Sequence, residues 1–358
     1  MTQKSTPSWL VAYLYYEEPW ERFLTEAVLP YAEIVEQTGI SDSWFFIRYW
    51  DRGPHIRLRF KADSEIIEKM LRPNLEEHFL NYFDSVPSFR TDPPYPARIP
   101  DSYKWLPNNS VQYDVYLPEL DRYGGEVGMA IAERQFALSS KLILQSMEEK
   151  GPKWSYDEAL GTAIKLHLSF LYAVGLDKES ATSFLKFFFQ NWLPHSISMN
   201  PDKLDPLTFQ EMKKETLQQY EDAFQLQRES LVPYHRVLWN GLQKGVNDFG
   251  EVLLSTWVTA NKSIIKDLKE AKNNNSLVER TEDYAYQRSD QTPFYENLWD
   301  HYADYTHMTN NRLGIHNKDE GYLAYLMMRS MEGLEEMEQS DDEEAGSLKR
   351  RNSFISLG

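Results

Sequence analysis

An α+β fold is predicted for this chain of 358 residues: an antiparallel sheet backed by two helices, then a mostly helical region packing over the open sheet face. Three observations predict it. Aromatic and β-branched runs at 9–16, 44–60 and 111–116 have the period-2 texture of strands. The two stretches between those runs carry apolar residues at helical spacing. From about Val127 the texture is helical to near residue 337.

Taken in order, 9–16 (WLVAYLYY) forms the first strand, and Glu17-Glu18-Pro19 opens a helix to about Gln37 with apolar Phe23, Leu24, Val28 and Ile34. Residues 44–60 (WFFIRYWDRGPHIRLRF) read as two strands about a tight turn, because Gly53 tolerates positive φ and Pro54 cannot continue a ladder. Ser64 is the expected N-cap of a helix from Glu65 to about Phe83, with Ile66, Ile67, Met70 and Leu71 spaced for one face. Pro87, Pro93, Pro94, Pro96 and Pro100 make an irregular connection to a last strand at 111–116, VQYDVY. The order β-α-β-β-α-β is that of a ferredoxin-like unit. Residues 117–125 (LPELDRYGG) are expected as turn.

Helices are then expected at 127–149, 156–174, 178–193, 206–245, 248–272, 295–312 and 320–337, with breaks at Gly151-Pro152, Gly175, Pro194 and Asn273-Asn274-Asn275. The chain thus divides into an α+β part (1–125), a helical part of the same domain (126–338) and a tail expected to be disordered (339–358).

Alternation assigns the hairpin side chains to faces. Phe45, Ile47 and Tyr49 are expected to share one face with Ile56, Leu58 and Phe60, beneath the two helices. Arg48, His55, Arg57 and Arg59 are expected on the other. Neighbouring like charges repel, so this arrangement implies an anion between them. Guanidinium forks match carboxylate or phosphate in two-point contacts. Solvated arginines lying over aromatic rings are the plainer alternative. Arg122 and Tyr123 of RYGG join this site if they reach the same face. His307, with Asn310, Asn311 and Arg312 in HMTNNRLGI, places polar groups within one turn near a helix end at Gly314.

Composition narrows the class. The net charge of −17, from 55 acidic and 38 basic residues, disfavours a general nucleic-acid binder, which needs a positive footprint. The absence of cysteine excludes disulfides and thiolate chemistry and suits a reducing cytoplasm. No apolar run is long enough to span a membrane, and the N-terminus lacks a signal-peptide pattern. His167, His195, His235 and His301 are isolated, so no metal-ligand spacing is present; nor is there a phosphate-binding glycine loop or a nucleophile elbow.

The hairpin WFFIRYWDRGPHIRLRF, then ELDRYGG, then HMTNNRLGI, in this order over most of the chain, resembles the C-terminal domain of class I lantibiotic dehydratases. The same domain stands alone in split dehydratases and in thiopeptide biosynthesis. That resemblance implies glutamate elimination. A separate tRNA-dependent glutamylating protein esterifies Ser or Thr of a precursor peptide with glutamate, and this domain expels the glutamate to leave dehydroalanine or dehydrobutyrine. It implies that Arg57, Arg59 and Arg122 bind the glutamyl carboxylates or the developing enolate and that His307 transfers a proton. Arg48, His55, Tyr123, Asn311 and Arg312 would support the bound substrate. No metal or organic cofactor is implied.

Two rival readings stay open. One is the thiopeptide pyridine synthase, which performs a formal [4+2] cycloaddition on a similar fold. The other is a non-catalytic adaptor that binds peptide. At this length the chain is expected not to contain a glutamylation domain as well, and whether it forms a homodimer is left open.

Overall fold

The computed structural model describes residues 7–96, 98–198, 200–245, 252–281, 284, 286 and 298–334. The expected tail at 339–358 and the end of the last helix at 335–337 lie outside the described residues. By contacts the chain groups into two compact units. The first comprises Met1–Ala159, Ser263–Ala285 and Asp304–Ile315, the second Leu160–Lys262, Tyr286–Ala303 and His316–Gly358.

The first unit holds the sheet. Strands β1 (Pro7–Tyr15), β2 (Ser43–Tyr49), β3 (His55–Asp63) and β4 (Ser110–Asp114) are ordered β2-β3-β1-β4, all antiparallel. That is the order expected of the ferredoxin-like unit. Between β1 and β2 a helix runs as α1 (Glu21–Phe23), a π turn (Leu24–Val28) and α2 (Leu29–Thr38), ended by Gly39 at φ 65°. After β3 the same pattern recurs as α3 (Ser64–Ile66), a π turn (Ile67–Leu71) and α4 (Arg72–Ser85). Its N-cap is Asp63, not Ser64: the Asp63 carboxylate accepts from the Glu65 N–H at 2.8 Å.

Cross-strand register sets the faces, and it corrects the sequence-based assignment. Trp44 stands opposite Phe60, Phe46 opposite Leu58 and Arg48 opposite Ile56, so these share the face covered by the helices. Leu10, Ala12 and Leu14 of β1 continue that layer, buried with Tyr31 and Phe79 of α2 and α4. Phe45, Ile47 and Tyr49 lie instead beside Arg59, Arg57 and His55 on the opposite face. Arg48 is therefore on the far side of the sheet from Arg57 and Arg59. Residues 44–47 are apolar without interruption, so alternation alone could not choose the register.

Later segments cover part of the arginine face, as predicted. The segment 117–125 contains a helical turn, α5 (Leu120–Tyr123), which Gly124 at φ 83° and Gly125 at φ 81° reverse into α6 (Gly125–Lys150). At Gly128 a Cβ would collide with the Tyr123 carbonyl oxygen, so the chain can turn this tightly only with glycine there. Phe136 of α6 packs on Phe45 at 5.5 Å between ring centroids, and Ser140 Oγ accepts from the Phe46 N–H.

The remaining helices are α7 (Tyr156–Ala173), α8 (Lys178–Ile197), α9 (Pro206–Lys244), α10 (Val252–Asn273), α11 (Trp299–Leu313) and α12 (317–334). Helix α8 continues through Pro194, where a break was expected; the last turn closes by the Ser198 N–H bonding to the Pro194 carbonyl. Within the second unit, Phe184, Phe187, Phe188, Trp192 and Trp299 form an aromatic core. On α9 the half-exposed Glu221 carboxylate accepts from Arg329 and Tyr325, and these bonds outweigh its partial burial to hold it at about 2.

Candidate functional site

The arginine face of the sheet concentrates the chemistry, and β3 supplies its axis. His55, Arg57 and Arg59 alternate along that strand, flanked by Tyr15, Tyr13 and Val11 of β1 and by Tyr49, Ile47 and Phe45 of β2. Arg57 lies between two rings, 3.5 Å from the Tyr49 centroid and 4.7 Å from that of Tyr13. Its Nε–H donates to His55 Nε2 at 3.2 Å. His55 is fully buried, and its Nδ1 lies 2.8 Å from the Gly53 carbonyl, so Nδ1 carries the proton and Nε2 accepts. Burial pushes its pKa down to about 4, with the neighbouring Arg57 charge acting in the same direction. His55 is thus a neutral support behind Arg57. Among the described residues no acceptor meets the two Nη groups of Arg57.

Arg59 is a second cation with open donors. It lies over Tyr116 at 4.9 Å and Phe45 at 5.2 Å, and its buried Nε has no partner among the described residues. Burial lowers its pKa. Two guanidiniums thus stand two residues apart on one strand face, each lying over aromatic rings and each with N–H groups that meet no acceptor among the described residues.

Arg122 is already paired. Its Nε and Nη2 donate to Asp304 Oδ1 at 3.0 and 2.7 Å, and Nη1 lies 3.5 Å from Glu119. Arg280 approaches the other oxygen of Asp304. Burial would raise the Asp304 carboxyl, but Arg122 and Arg280 outweigh it and hold the group below its ordinary value. Glu119 also favours the charge on Arg59, so this carboxylate links the Arg59 and Arg122 neighbourhoods. Tyr123 is buried beside Phe136 and Tyr305, and burial raises its pKa well above normal.

His307 is half-buried on α11, one turn beyond Asp304 and so near its face of the helix. The rest of its motif is built into the framework. Asn311 accepts from the Arg48 N–H at 3.0 Å and donates to the Arg48 carbonyl at 2.9 Å, closing the β2 edge as another strand would. Arg48 itself pairs with Glu21 at 2.9 Å and donates to the Arg312 carbonyl. Arg312 is fully buried between Phe45 and Phe136, donates to Ser140 Oγ and the Met308 carbonyl, and is lowered to about 9 by burial. These side chains hold α11 and α6 against the sheet.

Sequence reading missed Asp304 and Arg280, which fix Arg122, and Tyr13, Tyr49 and Tyr116, which frame the arginines. Asp304 sits three positions before His307, a helical spacing that could have suggested it; Arg280 carries no sequence signal. Among the described residues no group of His, Asp and Glu side chains is placed to hold a metal ion, and no helix is long and apolar enough to cross a membrane.

The family model of the lantibiotic biosynthesis dehydratase C-terminus matches residues 9–331. The chain belongs to this family. No curated protein sequence matches it. Among solved structures, this dehydratase C-terminal family member is similar to the pyridine synthase TbtD from thiomuracin biosynthesis, with TM-score 0.68 and 15% identity over 90% of this chain and 97% of that one. TsrL is similar with TM-score 0.63 and 19% identity, covering 92% and 96% of the two chains. The tRNA-dependent lantibiotic dehydratase MibB from Microbispora sp. 107891 gives TM-score 0.53 and 16% identity, over 92% of this chain and 28% of that one. At these identities the likeness is one of fold.

Proposed function

We propose that this dehydratase C-terminal family member eliminates glutamate from glutamylated Ser or Thr of a ribosomally made precursor peptide, leaving dehydroalanine or dehydrobutyrine. One observation carries the reading: Arg57 and Arg59 stand two positions apart on one sheet face with donors unused among the described residues. A glutamyl ester brings a free carboxylate and releases a second one, and guanidinium forks suit both.

In this reaction a base takes the Cα proton of the esterified residue. The C–H electron pair becomes the Cα=Cβ bond, the Cβ–O bond breaks, and glutamate departs as its carboxylate. The enolate that develops requires fixed positive charge in a site poor in water, which Arg57 and Arg59 supply. His307 serves in proton transfer, and Arg122, oriented by Asp304, faces the departing glutamate. The glutamyl ester is made by a separate tRNA-dependent glutamylating protein.

The test is to mix the purified protein with a peptide bearing a glutamyl ester on Ser or Thr and follow loss of glutamate by mass spectrometry. Elimination that is abolished by Arg59→Ala or His307→Ala is expected. Consumption of an already dehydrated peptide with release of a leader fragment would instead establish a pyridine synthase. Tight peptide binding with neither reaction would establish an adaptor.

A further inference from the structure

The two edges of the sheet are treated differently. At the β2 edge, the outward N–H and C=O of Arg48 are taken by the Asn311 amide, and the outward N–H of Phe46 by Ser140. These bonds also fix the ladder phase. Because Phe46 and Arg48 point their backbone groups away from β3, their partners Leu58 and Ile56 must point theirs toward β1, at Ala12 and Leu14. Val11, Tyr13 and Tyr15 then bond to β4, at Asp114, Gln112 and Ser110. What remains outward on β4 is the N–H and C=O of Val111 and of Tyr113, and no described residue pairs with them. Just beyond, in line with the strand, Val115 is 71% and Leu117 80% exposed.

Open edges of this kind accept an added strand, with main-chain bonds giving affinity and alternate side chains giving selectivity. We propose that the β4 edge is the docking strand for the substrate peptide, which binds extended, paired with Val111 and Tyr113, with an apolar residue over Val115 and Leu117. The choice of occupant follows from face. A residue opposite Gln112 points to the arginine face, in the cross-sheet row Gln112, Tyr13, Arg57; a residue opposite Asp114 joins the row with Val11 and Arg59. The added strand lies three strand spacings from β3, about 14 Å. Arg59, whose guanidinium lies over Tyr116 just past β4, is the arginine a glutamyl group on the docked residue would meet across that gap. A peptide on this edge thus presents every second side chain to the anion site. The inference rests on the proposed elimination for the identity of the peptide and on strand geometry for its place.

The probe is a short synthetic peptide carrying diaminopropionate acylated by glutamate, an amide that cannot be expelled as an ester is. Hydrogen exchange of the full chain with and without this peptide should show new protection at the Val111 and Tyr113 amides. Val111→Pro removes an outward donor without touching the β1 ladder and should weaken peptide binding roughly tenfold or more. Thermal unfolding checks that the variant folds, and N-methylation of the matching peptide amides gives the same loss without altering the protein. If elimination proceeds while these amides stay unprotected and N-methylated peptides bind normally, the docking inference is wrong and the enzymatic reading survives. If the amides are protected and no glutamate is lost from the ester, docking stands and the elimination reading fails.

Discussion

Arg57 donates its Nε–H to Nε2 of His55, and His55 is anchored in turn on the Gly53 carbonyl at the hairpin turn. This chain fixes the plane of the guanidinium between Tyr13 and Tyr49 and turns its two Nη groups away from the support. His55→Phe keeps the ring packing and removes the acceptor. Elimination of glutamate should then fall about tenfold in kcat/KM, equivalent to about 1.4 kcal/mol in transition-state binding. His55→Gln restores an acceptor and should recover part of the loss. Equal kinetics for wild type and His55→Phe would show that Arg57 needs no such support.

The same histidine makes stability depend on pH. Its folded pKa of about 4 lies below the ordinary value of 6.5, so between these the unfolded chain binds the proton and the folded chain does not. Stability should therefore be full above about pH 6.5 and decline as pH falls toward 4. His235, fully buried and also lowered to about 4, acts in the same window. His55→Gln should flatten part of the slope in a series of melting temperatures. An unchanged slope would mean that His55 is protonated in the fold.

The strands, the hairpin and the helices could be read from alternation, turn chemistry and helical spacing, because these are local properties of the chain. The register could not. Trp44 to Ile47 are apolar on both faces, since helices cover one face and α6 packs on part of the other, and a slip of one residue exchanges them. Arg57 and Arg59 stood out because charge in a buried strand is rare. Asp304 and Arg280 did not, because a single charged residue on a helix or loop is ordinary until its partner is known. Asn311 looked like a substrate contact for the opposite reason: a conspicuous polar motif can serve a strand edge as readily as a ligand.

Asp304 bears the charge of two arginines and is fully buried. Asp304→Asn keeps the volume and removes the charge that Arg122 and Arg280 share, while Arg122 keeps its contact with Glu119. Removing one partner of a buried ion pair costs about 3–5 kcal/mol, and most of that loss is expected here because Arg280 is nearly as buried as the carboxylate. Urea unfolding measures it. A loss under about 1 kcal/mol would mean that the guanidiniums find water or another acceptor.

Asn311 separates framework from chemistry most cleanly. Its amide satisfies both outward backbone groups of Arg48, a buried residue whose guanidinium lies against Gly314. Asn311→Ala strands a donor and an acceptor, and each unsatisfied buried group costs about 1–3 kcal/mol. Asn311→Asp keeps the acceptor for the Arg48 N–H but sets a carboxylate against the Arg48 carbonyl, so it should be no milder. Both variants should lower the unfolding midpoint while leaving KM for the glutamyl peptide unchanged at a temperature where they remain folded. A raised KM with an unaltered midpoint would place Asn311 on the substrate instead.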